Sequence, residues 1–588
     1  MLYLVPVSPA PQNPLVGQSA TPQATDINRS TAIRQLAVGE KIGLNTQRSR
    51  IRGRVKHNRN RYGTAEHAKR IYLLAPKHPV NFWSMQGTAD ILGAKTLMPN
   101  SALSTLMALT PDDVTVEYIL GDENVAPIDF SLPCDLVAIT GATLHTRRIH
   151  ELCRIFGERG VPIALGGTYA SIDPDACACL ADYLFVGEAE YTWPKFLRQW
   201  STGQAEKVYR QATYIDLKDS PAPDWSLIKA RDYVNFNVQT SRGCPHQCDF
   251  CDVIQYMGRE YRTKTIDQIL QEVRNAHGAG ARTLFFSDDN FLGNKRFTKD
   301  LLTRLLAWNT AQTRPLSFST QITVQVADDV GLLKLFSDCK FSVLFLGVET
   351  VREESLKEVH KSHNLKYNIY ERMKRISRFG IVPFLGLIVG FDHDDKTVFG
   401  DLEGFIKDTY SPIAGISLLN APRRTPLYKR MQAEGRLVGD DFSGEWQLYT
   451  NIIPKQMKRE ELLTLYRNLF EKIYDPVAFE SRLVEWLKHV EYVNTGYPNK
   501  KFDFNQIKFA SRIFKHFLFQ EDREVRSLFF RALKKTWQIN PKLMRRFFTL
   551  ITQYIHFYHF VKDQLPKDPG QLPEFDAPAR SPQEAAAL

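Results

Sequence analysis

Long apolar runs are missing from this sequence: no stretch of about 18 uncharged apolar residues occurs, which excludes a conventional membrane-spanning helix. Cysteine is scarce, with eight in 588 residues, too few to staple a chain of this length through disulfides. A reducing, cytoplasmic setting is therefore expected, where grouped cysteines bind metal or react. The opening Met1-Leu2-Tyr3-Leu4-Val5-Pro6 has neither a basic leader nor a long apolar stretch, so no signal peptide is expected there. Acid is locally missing as well. Arg48, Arg50, Arg52, Arg54, Lys56, Arg59 and Arg61 form a run without one, and residues 500–563 hold 14 Lys/Arg against 5 Asp/Glu. Patches of this kind can meet phosphates or anionic lipid. The plainer reading is a solvated tail and a basic helical surface.

What is present is an ordinary globular composition, 43% apolar and 24% charged, in a chain too long for one core. Residues 1–66 read as a disordered basic tail rich in Pro, Gln, Ser and Thr, and 566–588 as a Pro/Ala-rich disordered tail. Over 67–205, short apolar runs at 71–75, 136–140, 161–165 and 183–186 alternate with helical patterns, predicting a doubly wound Rossmann-like α/β sheet. Ile149, Leu152, Cys153 and Phe156 share one helical face. The Pro-containing stretch within 206–232 reads as a linker. Over 233–430 the candidate strands 236–240, 283–287, 316–320, 343–348, 383–389 and 413–419 predict six βα units of a partial TIM-type barrel. Thr265 and Gln268 stand in capping-box spacing before one of its helices. Residues 431–565 predict a mostly helical third domain.

The sharpest local signal is Cys244-Pro245-His246-Gln247-Cys248-Asp249-Phe250-Cys251, three thiols spaced C-x3-C-x2-C just after the first barrel strand. Thiolates suit iron–sulfur clusters, and three ligands on four irons leave one iron open. A zinc site with His246 as fourth ligand is the alternative.

The motif, with aromatic Phe250 before its last cysteine, resembles that of the radical S-adenosylmethionine (SAM) superfamily. The resemblance implies a [4Fe-4S] cluster on Cys244, Cys248 and Cys251, and cleavage of SAM there to a hydrogen-abstracting radical. It also implies cofactor contacts at Ser287-Asp288-Asp289-Asn290, Gly347-Val348-Glu349 and Gly390. The first domain then resembles the cobalamin-binding domain of the cobalamin-dependent branch, with Thr140, Gly166, Gly167, Gly187 and Glu188 as expected contacts; a nucleotide-binding or purely structural sheet is the alternative. The Asp-x-His-x-x-Gly motif that supplies an axial histidine is missing, so cobalt is expected to carry neither histidine nor its own base. His78, after the first strand, reads as structural or a loop contact.

The segments Pro79–Ser84, Cys251–Arg259 and Asp289–Lys295 narrow the resemblance to the branch containing the hopanoid C-methylases. It implies radical methylation of an unactivated carbon on a small-molecule or lipid-like substrate, with an electron donor such as flavodoxin or ferredoxin. A cobalamin-dependent cyclase or rearrangement enzyme would share these motifs. A zinc-bearing nucleic-acid-binding protein is the reading from another class. Phe529, Phe530, Trp537, Phe547, Phe548, Tyr554, Phe557 and Tyr558 either line a lipid site, with contact at the inner membrane face, or form an aromatic core.

Overall fold

The computed structural model describes residues 68–361, 364, 365, 368–438, 448–494 and 504–565. The N-terminal arginine run and both tails read as disordered lie outside the described residues. Six parallel strands form the first sheet: β1 Lys69–Ala75, β2 Val116–Asp122, β3 Leu136–Thr140, β4 Ile163–Gly166, β5 Tyr183–Val186 and β6 Val208–Arg210, in the order β2-β1-β3-β4-β5-β6. Its central strands are apolar throughout because both faces are covered. Ile71, Leu73, Leu136 and Ala138 enter one core, and Tyr72, Leu74, Val137 and Ile139 the other. Ile149, Leu152, Cys153 and Phe156 of helix Thr146–Glu158 fill the second core, as their spacing predicts. Two edge strands escaped the sequence reading: β2 alternates with half-exposed residues, and β6 has three residues inside the stretch read as linker.

The second sheet holds β7 Phe236–Val238, β10 Thr283–Phe286, β11 Ser317–Ile322, β12 Phe341–Glu349, β13 Val382–Val389 and β14 Ala414–Leu418, all parallel, in the order β14-β13-β12-β11-β10-β7. Between β7 and β10, a two-stranded ribbon pairs β8 Ser241–Arg242 with β9 Arg262–Thr263. This is the expected partial barrel. Helix Ile266–Ala279 begins with the expected capping box: Thr265 N–H donates to Gln268 Oε1 at 2.9 Å, and Gln268 N–H to Thr265 Oγ1 at 3.3 Å. Alternate strand residues differ sharply in burial. Leu284, Phe318, Leu344 and Leu346 lie in the core on the helix-covered face, whereas Phe285, Ser319, Val343 and Phe345 on the inner face remain half-buried. The inner face therefore borders an open lumen.

Helices Arg459–Ile473, Pro476–His489, Phe504–Phe519, Arg523–Ile539 and Met544–His559 make up most of the C-terminal region. The segment after β1 ties this region to the barrel. Phe82 stacks on Phe557 with centroids 4.2 Å apart, and His556 Nε2 donates to Phe82 O at 2.9 Å. Trp83 lies nearly parallel to Phe384 at 5.6 Å and edge-on to Phe345 at 5.1 Å. Of the aromatic residues proposed to line a lipid site, Phe529, Phe547, Tyr554 and Phe557 are fully buried core; Phe530 and Trp537 point to the surface. No helix among the described residues is long and apolar enough to cross a membrane.

Candidate active site

The cysteine loop leaves the carboxyl end of β7, and backbone geometry shapes it. Gly243 has φ +88°, and a Cβ there would lie 2.1 Å from Glu260 O, so only glycine fits. Its N–H donates to Asp289 Oδ2 at 2.9 Å. Cys244 N–H donates to Gly258 O at 3.2 Å and Cys251 N–H to Cys248 O at 3.1 Å. The middle of the loop is anchored from outside, since Asp249 N–H donates to Val359 O and Asp249 O accepts from Leu427 N–H. All three thiols are free. Burial pushes Cys248 up to about 11 and Cys251 to about 12, so without metal both are neutral thiols that iron must deprotonate. No three His, Cys, Asp or Glu side chains among the described residues converge as a single ion requires. A four-iron cluster, which takes its thiolates at separate corners, fits three free thiols spread along one anchored loop.

The segment after β10 divides its work in a way the sequence did not show. Asp288 is fully buried and accepts from Thr240 N–H at 2.7 Å, Thr240 Oγ1 at 2.8 Å and Ser241 N–H at 2.6 Å. Burial raises its pKa to about 7 despite these bonds. Asn290 Oδ1 accepts from Leu292 N–H at 3.1 Å, and Ser287 N–H donates to Val238 O at 2.9 Å. Asp288 and Asn290, expected as cofactor contacts, fix the roots of the loop through these bonds. Asp289 stays half-buried beside Cys244, with one oxygen on Gly243 and the other uncommitted.

At the end of β12 the strand register shifts between Gly347 and Glu349, and Glu349 holds φ +68°. A positive φ on a non-glycine residue is strained, and such strain concentrates at functional sites. Glu349 is paired with Lys361, a buried cation. A Cβ on Gly347 would lie 2.7 Å from Glu349 Oε1 and 2.9 Å from Lys361 Nζ. Lys361 Nζ also lies 5.9 Å from the Phe250 ring centroid. The sequence reading missed this lysine, which belongs to no strand-end motif. Gly390, φ +106°, donates its N–H to Asp394 Oδ2 at 2.9 Å, and Phe391 meets Phe250 edge-on at 6.5 Å.

On the first sheet, strands β3, β4 and β5 run into Gly141, Gly166-Gly167 and Gly187, leaving the edge low and bare. Gly167 has a packing reason of its own: a Cβ would lie 2.7 Å from both Thr140 Oγ1 and Gly141 O. Glu188, expected to touch cobalamin, has three partners within the protein. Its Oε1 accepts from Arg242 and Arg262 at 2.9 Å each, and its Oε2 from Ile215 N–H at 2.9 Å. A second unforeseen feature is a histidine pair at this edge. Ala142 N–H donates to His145 Nδ1 at 3.0 Å, so the proton of that ring sits on Nε2 and is donated to His78 Nδ1 at 2.9 Å. Burial holds His145 near pKa 3, and His78 is lowered by the same cause, so both rings are neutral. The remaining proton of His78 then sits on Nε2. Only a spatial pairing links residues 67 apart, so no local signal could have revealed it.

Arg242 joins the two sheets. Besides Glu188, it bonds Glu190 Oε1 at 2.7 Å, and all three side chains are nearly buried. Burial opposes charge on Glu190, but Arg242 outweighs it and holds the carboxyl below its usual range. Helix Thr168–Ile172, which follows Gly167, packs on helix Val253–Tyr256, which follows Cys251. Arg423, beyond β14, bonds Asp173 at 2.8 Å. The carboxyl ends of both sheets thus meet across the cysteine loop.

Residues 238–403 match the model of the radical SAM superfamily, and 425–567 match a domain of unknown function, DUF4070. The chain is 32% identical over 422 residues to an uncharacterized methyltransferase of Synechocystis sp., covering 70% of this chain and 77% of that protein. It is 29% identical over 440 residues to the hopanoid C-2 methylase of Rhodopseudomonas palustris, covering 74% and 82%. In fold it is similar to the cobalamin-dependent SAM radical enzyme OxsB with aqua-cobalamin bound, with TM-score 0.52 and 13% identity over 84% of this chain and 80% of that one. With the cysteine loop and these relatives together, the chain belongs to the radical SAM methyltransferase family.

Proposed function

We propose that this enzyme methylates an unactivated carbon of an apolar, lipid-like molecule held in the barrel lumen, a polycyclic lipid of the hopanoid type being the favoured class. One observation carries the reading: Arg242 ties the carboxyl ends of the two sheets together, and the half-buried inner face of the second sheet carries apolar side chains on several strands beside the polar Ser319 and Gln321. Phe285, Val343, Phe345 and Ile388 on the strands, with Trp83 inserted against them, give that lumen an apolar wall. Such a wall orients a substrate by shape and excludes water from its surface.

The chain's residues divide the labour. Cys244, Cys248 and Cys251 hold the cluster; Asp289, Glu349 and Lys361 offer one cation and two carboxylates to the amino-acid and ribose parts of SAM. Phe250 and Gly390 border the same space. Thr140 and the bare edge at Gly166, Gly167 and Gly187 suit a broad, flat ligand such as cobalamin, and the His78–His145 pair borders that edge. When bound, the cluster would pass an electron from an external donor such as flavodoxin or ferredoxin to SAM and so supply a hydrogen-abstracting radical, and cobalamin would supply the methyl group, restored from a second SAM. The protein's part is to keep the two cofactors apart by a fixed wall and the substrate carbon between them.

The test is anaerobic reconstitution with iron, sulfide, cobalamin and methyl-labelled SAM, offering total lipid extract of the source cells. Label in a polycyclic lipid, with 5′-deoxyadenosine and S-adenosylhomocysteine both formed, is the expected result. SAM cleavage with no labelled acceptor would move the enzyme to cyclisation or rearrangement.

A further inference from the structure

Helices Phe504–Phe519 and Arg523–Ile539 each bury one apolar face and expose a second. Ile513, Phe517, Val525, Leu528, Phe529 and Ala532 are fully buried. On the other side, Ile507, Phe514 and Leu518 recur at helical spacing along the first helix, as do Phe530, Lys534 and Trp537 along the second. Phe519 is 79% exposed and Trp537 66%. A single exposed apolar residue is unremarkable, but these are connected: the Phe514 and Phe530 rings lie 6.5 Å apart, joining the two stripes into one patch.

The charge around the patch is one-sided. Lys508, Lys515, Arg523 and Lys534 are exposed and have no ion pair among the described residues. Arg531 and Lys535, on the neighbouring face, share Glu480 as their ion-pair partner. Of the nearby acids, Glu524 is exposed beside Arg523, and the other two are spent elsewhere. Glu521 is buried against His516 and His559, and Asp522 caps its helix and pairs with Lys562. Exposed aromatic and aliphatic side chains interleaved with unpaired cations match the chemistry of an anionic bilayer surface, with phosphates for the cations and the acyl boundary for the rings.

We propose that this patch docks the enzyme on an anionic lipid bilayer, lying on the membrane rather than crossing it. A second copy of the chain is a poorer occupant, because a two-fold contact would set these lysines against one another. The patch falls inside the region matched by the domain of unknown function and gives that region a task. The same region grips Phe82, next to Trp83, through Phe557 and His556, so a docked enzyme would hold its lumen within one domain's reach of a membrane lipid. The docking does not depend on methyl transfer, so its failure and that of the methylation reading are told apart.

The test is co-sedimentation of the full chain with vesicles of phosphatidylcholine alone or mixed with phosphatidylglycerol. Binding to the mixed vesicles only, weakened by salt, is expected. Phe519→Ser with Trp537→Ser should reduce it at least tenfold, as should Lys508→Glu, Lys515→Glu and Lys534→Glu together, with melting temperatures unchanged because all five side chains are exposed. No binding to mixed vesicles, or wild-type binding by both variants, overturns the proposal. So does a dimer in sedimentation equilibrium that Trp537→Ser dissociates.

Discussion

The two sheets are built from similar strands but are used differently. The first is covered on both faces, with one apolar core on each side, and offers a ligand only its carboxyl edge. The second is covered on one face and leaves its inner face half-exposed. A two-sided core makes a rigid platform; a one-sided core makes a vessel. Under the proposed function, a flat cofactor lies at the first sheet's edge and the substrate against the second, with the cysteine loop at their meeting line.

The largest expected effect breaks the comparison at that line. Cys248→Ala should abolish SAM cleavage and lower bound iron and sulfide, while absorption spectra show cobalamin still bound to the platform. Loss of cobalamin as well would mean that the two sheets do not act as separate sites. Arg242→Met removes the tie between them, leaving the buried Glu190 with only the Ser220 hydroxyl and Glu188 with Arg262 and Ile215 N–H. Breaking a buried pair this way costs about 3–5 kcal/mol, which denaturant unfolding would measure. An unchanged midpoint would mean that the sheets meet without needing the tie.

Lys361→Met sharpens the vessel side. A charge-assisted hydrogen bond contributes about 1.5–3 kcal/mol, so KM for SAM should rise by roughly 10–100-fold while cluster iron stays constant. If iron is lost instead, the lysine supports the loop and not SAM. On the platform side, reconstituted protein in the cob(II) state should show no imidazole-nitrogen hyperfine splitting, because His78 Nδ1 is occupied by His145 and its Nε2 carries a proton. A nitrogen pattern that vanishes in His78→Ala would overturn that tautomer assignment.

The smallest effect lies far from both sheets. Burial alone would raise Glu521, but hydrogen bonds from His516 and His559 hold it near pKa 2, and His559 is raised mainly by its bond to Glu521. The carboxylate's contribution is complete above its usual value near 4.5 and is lost as pH falls toward 2. The contribution of His559 is complete below 6.5 and is lost as pH rises through its folded value. Hydrogen exchange in helix Met544–His559 should therefore be slowest between these limits, and Glu521→Gln should flatten the profile.

Much of this was legible in the sequence for definite reasons. Apolar runs such as Leu136–Thr140 announce a strand buried on both faces, and the spacing of Cys244, Cys248 and Cys251 announces a cluster, because both signals are local. The edge strands β2 and β6 were not legible, since three residues, or seven with half-exposed positions, carry too little pattern. The hydrogen bonds of Asp288, Asn290 and Glu188 within the protein were not legible for a related reason. A carboxylate at a strand end looks the same in sequence whether it faces a ligand or a neighbouring backbone N–H.

By itself, then, the sequence determined the two α/β sheets, the thiol loop and the chemistry those thiols support, all properties of short segments. Only the tertiary structure decided that Arg242 locks the sheets edge to edge, that Lys361 lies beside Glu349, that His145 sets the proton of His78, and that Trp83 lines a lumen it reaches from another part of the chain. Each of these joins residues distant in sequence. Hydrogen bonds and ring contacts act over a few ångströms of space, and only folding brings those partners within that range.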